Sequence, residues 1–291
     1  MSSGLTYAAV TPARDEAANL PRLAQAMVAQ TRTPERWVIV ENGSSDETRD
    51  IARRLADRHP WITLVVSPPS ERYDRTSPYM RAFHRGVEEL AGAGGVVVKL
   101  DADVSFEPDF FAGLLAAFAE RPELGIVSGT LLEEHGGSWR ESILLGDHCW
   151  GPTRAYRRAC LEAVLPLDDS TGYASIDETK AHLAGFATGV LRQLPFKHHR
   201  PEGSGEGSRF RSWKGDGAAA HYTGYRFSYL LVRALYRMRR DPTAAGLLAG
   251  YLGAAARRRP RYADKAVIRA LRDEQRVRRF FPVLGSRFRR A

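Results

Sequence analysis

An alternation near the N-terminus constrains this chain more than any other feature. Short apolar runs at residues 5–11, 37–41, 62–66 and 96–100 are separated by amphipathic stretches. After Asn19, Leu20, Leu23 and Met27 share a face; Ile51 and Leu55 mark the buried side of the next stretch, and residues 77–90 make another. Runs of this length read as buried strands, and parallel strands need helical crossovers. The pattern predicts an α/β fold with a mostly parallel, doubly wound sheet flanked by helices, its first strand stopped by Pro12. Ligands of such sheets gather at the carboxyl ends of the strands, so the loops there are where function is sought.

Those loops are polar in a particular way. The strand at 96–100 runs into Asp101-Ala102-Asp103. Alternate residues of a strand point to one side, so both carboxylates can face one Mg²⁺ or Mn²⁺, a hard cation that takes oxygen ligands. Turn chemistry alone also favours Asp at a strand exit. The second strand ends in Glu41, followed by Asn42-Gly43-Ser44-Ser45-Asp46, a turn into a helix whose first turn carries acids.

Charge divides the chain. The net +9 suggests a nucleic-acid binder, yet residues 1–225 carry 25 Lys and Arg against 30 Asp and Glu, whereas residues 226–291 carry 18 against 4. The basicity belongs to the C-terminal part, which points to an anionic surface as partner for that segment alone. No nucleic-acid recognition module accompanies it. Cys149 and Cys160 have no redox or metal-cluster spacing, and no leader-like run precedes the first strand, so a cytoplasmic protein is expected.

Three segments carry a family resemblance. Thr11-Pro12-Ala13-Arg14-Asp15-Glu16, Val38-Ile39-Val40-Glu41-Asn42-Gly43-Ser44-Ser45-Asp46 and Asp101-Ala102-Asp103 resemble, in order and spacing, family 2 glycosyltransferases of the GT-A (Rossmann-like) fold. The usual Asn-Glu appears as Asp15-Glu16, and the usual acidic pair as Glu41-Asn42. The resemblance implies a nucleotide-diphosphate sugar as donor and Mg²⁺ or Mn²⁺ as cofactor. It implies a donor site lined by Thr11, Pro12, Arg14 and Glu16, by Glu41, Asn42, Gly43 and Ser44, by Arg81, and by Asp101, Ala102 and Asp103. Asp103 would ligate the metal, with Asp101 on the metal or the ribose.

Further segments fit the same likeness. Residues 172–183 are similar to the family's acceptor segment, which makes Asp177 the base that deprotonates an acceptor hydroxyl, with Glu178 as rival. A positioned carboxylate of this kind contributes roughly 10²–10⁴-fold. Trp150, Gly151 and Trp213 are expected on the acceptor. A histidine completing the metal shell is expected at His198 rather than His199, whose side chains part if the segment is extended. The glycine-rich, basic stretch 202–217 reads as a mobile lid whose Arg209, Arg211 or Lys214 meets phosphate; a solvated linker would have the same composition. The Gln-X-X-Arg-Trp signature of processive synthases is absent.

The C-terminal part looks like an extension to the catalytic domain, dividing the chain into 1–225 and 226–291. In residues 226–240, Phe227, Leu230, Leu231, Ala234, Leu235 and Met238 share one helical face, and Arg226, Arg233, Arg237 and Arg240 another. The apolar run 244–256 falls short of the roughly 20 residues that span a bilayer. Arginine clusters at 257–261 and 276–279 suit anionic headgroups and a polyprenyl-phosphate-linked, glycolipid or other carbohydrate acceptor, with the protein peripheral on the inner face of the cell membrane. The same helices could equally pack on the catalytic body and leave their arginines in water. The expected activity is a metal-dependent, inverting, non-processive hexosyl transfer. A sugar-phosphate nucleotidyltransferase and a basic nucleic-acid-binding protein are the alternatives.

Overall fold

The computed structural model describes residues 4–67, 77–142, 148–170, 172–200, 209–239 and 241–276. Two compact units divide the chain. The first comprises Met1–Asp169 and Ala184–Pro201, the second Ser170–Leu183 and Glu202–Ala291. The change of charge at residue 226 falls within the second unit.

The first unit is built on β1 (Tyr7–Ala13), β2 (Arg36–Asn42), β3 (Ile62–Ser67) and β4 (Val96–Leu100), connected by α1 (Leu20–Val28), α2 (Thr48–Arg58) and α3 (Ser77–Glu89). These four strands are parallel, as the alternation predicts. There follow β5 (Val104–Phe106), α4 (Phe110–Glu120), β6 (Leu124–His135), β7 (Ser138–Glu141), β8 (Thr153–Arg157), α5 (Arg158–Val164) and β9 (Ala187–His198). The sheet order is β3-β2-β1-β4-β8-β6-β9-β5, with β7 on β6. Here the sheet becomes mixed: β8 runs against both β4 and β6, β9 runs with β6, and β5 runs against β9.

Pro12 does not stop β1, contrary to the expectation from sequence. Pairing with β4 ends at Val10, while pairing with β2 continues to Ala13. Pro12 therefore lies where the strand has a neighbour on one side only, a place where a missing N–H is tolerated. Tyr7 stacks on Phe111 of α4 with ring centroids 4.3 Å apart, and Phe106 and Phe110 extend this aromatic layer. Both cysteines are buried thiols. In β6, Gly129 marks a register shift against β9; a Cβ there would collide with the Leu194 carbonyl oxygen and the Phe110 ring. The bulge sets the pairing beyond it, including Glu133 opposite His198.

The second unit is helical: α6 (Tyr173–Leu183), α7 (Arg209–Tyr222), α8 (Phe227–Met238), a 3₁₀ turn at Pro242–Ala245, α9 (Gly246–Ala256) and α10 (Lys265–Glu274). The described part of the expected lid, from Arg209 onward, is thus helix and not loop. Residues 202–208 lie outside the described residues, as does most of the 276–279 arginine cluster. Packing against α9 explains much of the glycine content. A Cβ on Gly217 would strike the Leu247 carbonyl oxygen, one on Gly250 the Lys214 carbonyl oxygen, and one on Gly246 would lie 2.6 Å from that of Phe210. The two helices touch backbone to backbone, and the glycines give up side chains to allow it. In α8 the apolar face is split: Leu230 and Ala234 join the core of this unit with Ala220, Leu247 and Tyr251, whereas Phe227 and Leu235 are exposed, as are Val232 and Tyr236 outside that face.

Two glycines of this unit should respond oppositely to alanine in urea unfolding. Gly250→Ala forces a Cβ into backbone and should cost about 1–3 kcal/mol. Gly215→Ala, with nothing within 4 Å of the added methyl in the middle of α7, should stabilise by about 0.5–1 kcal/mol. Equal effects would contradict the close α7–α9 contact.

Candidate active site

The loops after β1 and β2 are laced together at the carboxyl edge of the sheet. Asp15, at φ 54°, holds the left-handed turn after β1, a conformation Asp tolerates better than most residues. Its Oδ1 accepts from the Ser45 N–H (2.7 Å) and hydroxyl, while its own N–H donates to Ser44 Oγ at 3.1 Å. The Glu16 N–H donates to Thr48 Oγ1 at 2.7 Å and the Ala17 N–H to Asp46 Oδ2 at 3.0 Å. Gly43, at φ 70°, makes the turn after β2, and Glu41 closes it by accepting from the Ser44 N–H at 2.5 Å. Glu41 and Asn42 are buried; Arg49 lies 3.7 Å from Glu41, and the Asn42 amide donates to the Pro78 carbonyl at 3.4 Å. Thr11 points into the sheet interior, where its hydroxyl accepts from the Trp37 indole at 2.9 Å. Pro12 is buried beside it, and Arg14 and Arg81 are exposed.

Asp101, Ala102 and Asp103 form a turn between β4 and β5, not a strand, so the two carboxylates do not share a side by alternation. They enter different networks. Asp101 accepts from the Lys99 ammonium at 3.0 Å and from the Tyr79 hydroxyl; Lys99 also donates to that hydroxyl at 2.6 Å and lies over the Tyr79 ring. The Lys99 side chain is 1% exposed and that of Asp101 26%. Burial alone would raise the Asp101 carboxyl, but the Lys99 charge and the two hydrogen bonds outweigh it and hold it below the usual carboxylate range. Trp150 and Gly151 run close to this turn, since the Asp101 N–H donates to the Pro152 carbonyl at 2.9 Å. Trp150 itself is core, its N–H donating to Ser128 Oγ at 2.8 Å.

Asp103 is tied to β9. Antiparallel pairing of β5 with β9 sets Val104 opposite His198, and the His199 N–H donates to the Asp103 carbonyl at 2.8 Å. His198 Nε2 then lies 3.3 Å from Asp103 Oδ1, both side chains 10% exposed. The neighbouring imidazole parts from it: His199 Nε2 bonds Ser105 Oγ at 2.7 Å and its ring meets Trp139, with burial and then Arg22 holding its pKa down. Arg200 completes the cluster. One Nη lies 2.7 and 2.6 Å from the two Glu16 oxygens, and Nε lies 3.6 Å from Asp103 Oδ2. Burial pushes the Glu16 carboxyl up, opposed by a hydrogen bond from Asn19 and by Arg200.

Sequence reasoning missed Arg200 and Lys99. Arg200 stands two residues after His198, hence on the same side of an extended segment, and Lys99 is the one charge in an apolar strand, two residues before Asp101; both spacings were available signals.

The expected base and lid residues, and Trp213 of the expected acceptor residues, lie in the second unit, whereas Trp150 and Gly151 belong to the first. Asp177 and Glu178 are buried in the second turn of α6, beyond the first turn where acids serve the helix dipole. Asp177 Oδ1 accepts from the Glu178 N–H at 2.8 Å. The Trp213 indole donates to Asp241 at 3.0 Å and stacks beneath the Arg237 guanidinium; Arg209 lies 3.8 Å from Asp241. Arg211 and Lys214 are exposed on α7.

Among the described residues no three His, Cys, Asp or Glu side chains are grouped so as to hold a metal. The first unit offers a pair, Asp103 and His198. One carboxylate and one imidazole fit a divalent cation that keeps water and phosphate oxygens in the rest of its shell.

This mixed, curled sheet flanked by helices is the GT-A fold. It superposes on a mannosyltransferase from Pyrobaculum calidifontis solved with GDP-mannose and Mn²⁺ at a TM-score of 0.57, 16% identity, 92% of this chain and 78% of that one. GalNAc-T7 solved with UDP, GalNAc and Mn²⁺ matches at 0.58 and 15%, over 76% and 48% of the two chains. The sequence model of glycosyl transferase family 2 matches residues 8–194, and the chain belongs to that family. Among curated relatives, an undecaprenyl-phosphate 4-deoxy-4-formamido-L-arabinose transferase of Serratia proteamaculans is 26% identical, the match covering 57% of this chain and 53% of the relative. The succinoglycan biosynthesis protein ExoA of Rhizobium meliloti is 29% identical over 35% and 29%. The chain thus spans about half or less of the length of these relatives.

The Lys99–Asp101 pair can be tested as a thermodynamic cycle. Lys99→Met strands a carboxylate and should cost about 3 kcal/mol in urea unfolding, whereas Lys99→Met with Asp101→Asn should recover most of the loss. A double variant as unstable as the single one would show that Lys99 acts by packing alone.

Proposed function

We propose that this protein transfers a sugar from a nucleoside-diphosphate sugar to an acceptor hydroxyl, metal-assisted, with inversion and one addition per encounter. The observation that carries the reading is the cluster at the carboxyl edge of the sheet, Asp103 and His198 beside Glu16 and Arg200, in a chain of family 2. Asp103 and His198 would hold Mg²⁺ or Mn²⁺. Such a cation neutralises the charge that gathers on a departing diphosphate. The two fold relatives solved with a nucleotide and Mn²⁺ support the choice of ligand class.

Around the donor, the laced loops of Asp15–Asp46 supply a rigid floor, and Glu41 and Asn42 offer buried polar atoms for the nucleoside. Arg14 and Arg81 would approach from solvent-exposed positions, and Trp150 and Gly151 would border the turn toward the acceptor. The base is assigned to Asp177, by the likeness of its segment, with Glu178 as the alternative. Its carboxylate takes the acceptor proton; the acceptor oxygen bonds the anomeric carbon as the bond to the diphosphate breaks, and the electron pair leaves with the diphosphate. Attack from the opposite side inverts the centre.

In α8 the exposed Val232, Leu235 and Tyr236 share a helix with Arg233 and Arg237, and Arg239, Arg257, Arg258, Arg259 and Arg261 follow. Apolar side chains in water within a strongly basic segment suit an anionic membrane surface. No helix among the described residues is long and apolar enough to cross a membrane. An acceptor on a polyprenyl phosphate, as in the name of the Serratia relative, would be presented at such a surface.

Asp103→Ala should abolish Mn²⁺-assisted binding of UDP, GDP or dTDP in calorimetry together with sugar transfer. Asp177→Asn should keep that binding and lower kcat by roughly 10²–10⁴-fold. Release of pyrophosphate instead of a nucleoside diphosphate would make the protein a nucleotidyltransferase. For the surface, co-sedimentation with vesicles containing anionic lipid should exceed that with neutral vesicles and fall in Leu235→Ser/Tyr236→Ser; equal recovery in both supernatants would remove the membrane reading.

A further inference from the structure

Glu16 and Asp103 set two largely buried carboxylates on either side of one guanidinium. Without a cation between them, each would raise the cost of ionising the other. Arg200 is that cation here, and its hold on the two acids is unequal. To Glu16 it makes short hydrogen bonds of 2.7 and 2.6 Å; to Asp103 it is an ion pair at 3.6 Å, beyond hydrogen-bond length. Its side chain remains 45% exposed at the end of β9, in contrast with Lys99, which is sealed in its pair with Asp101. One of these two cations is built to stay and the other is placed to move.

We propose that Arg200 is a resident counter-cation of the donor site that competes with the divalent metal for Asp103 and, when metal and nucleotide enter, turns to the donor's diphosphate. The inference rests on the donor-site reading above. Its physical basis is charge. A divalent ion on Asp103 and His198 repels a guanidinium 3.6 Å from the same carboxylate, and a diphosphate arriving with that ion offers the geometry a guanidinium binds best, two oxygens to one fork. Arg200 thereby makes metal and nucleotide depend on each other: metal alone must displace it, nucleotide alone lacks the metal, and together they give it a new partner. Such coupling is reciprocal.

The test measures the two affinities separately. Mn²⁺ affinity is read from free-ion electron paramagnetic resonance without nucleotide, and UDP and GDP affinities by calorimetry in saturating Mn²⁺. Arg200→Gln should bind Mn²⁺ alone about fivefold or more tighter and the nucleoside diphosphate about fivefold or more weaker, the lower range of ordinary coupling. Arg200→Lys keeps the charge and loses the fork, so Mn²⁺ affinity should stay near that of the parent while the diphosphate weakens; it carries the test should Arg200→Gln fail to fold. Loss of both affinities in a folded Arg200→Gln would make Arg200 a structural brace, and no change in either would make it a bystander; both overturn the inference. Absence of any Mn²⁺-dependent nucleotide binding by the parent protein is a different result, and it strikes the donor-site reading itself.

Discussion

The pairing of β5 with β9 is the interaction on which the candidate site depends. A three-residue strand that begins directly after Asp103 lies against the end of a twelve-residue strand, and the match of Val104 to His198 brings an acid and an imidazole together across more than ninety residues of chain. Neither side chain could be held there by its own loop. The backbone ladder fixes both, and the Asp103 carbonyl closes it by accepting from the residue after His198. The aromatic layer of Phe106, Phe110 and Phe196 under this corner gives the short strand the burial that three residues could not supply alone.

The two acids of the Asp-X-Asp turn illustrate how environment separates like groups. Asp101 is bound to a buried ammonium and a phenol, and its charge is spent on holding β4 and α3 together. Asp103 faces an imidazole at 3.3 Å and, at 3.6 Å, a guanidinium whose short hydrogen bonds go to Glu16 instead. A pair that looks symmetrical in sequence is divided in the fold between a buried ammonium on β4 and the residues at the end of β9.

What the sequence disclosed follows the range of the forces involved. The strand-helix alternation through β4 is local, and it located the first four strands and the loops at their carboxyl ends. Pro12 misled because its effect depends on whether a neighbour strand continues, which is a fact about β4 and not about Pro12. The glycines of 215 and 217 read as loop because composition cannot distinguish flexibility from close packing; only the approach of α9 reveals that Gly217 is needed for contact. Asp177 and Glu178 entered only through the likeness of their segment, and their burial in the second turn of α6 depends on packing that the segment alone does not encode. Arg200 passed unremarked because its meaning lies in Glu16, at the opposite end of the first unit's sequence.

The bulge at Gly129 carries a consequence for how such a site can change. Side chains along β9 alternate, so the register beyond the bulge determines the parity with which the His-His pair meets β5. Gain or loss of a single residue in that stretch of β9 would exchange one imidazole for the other without altering the composition of the corner.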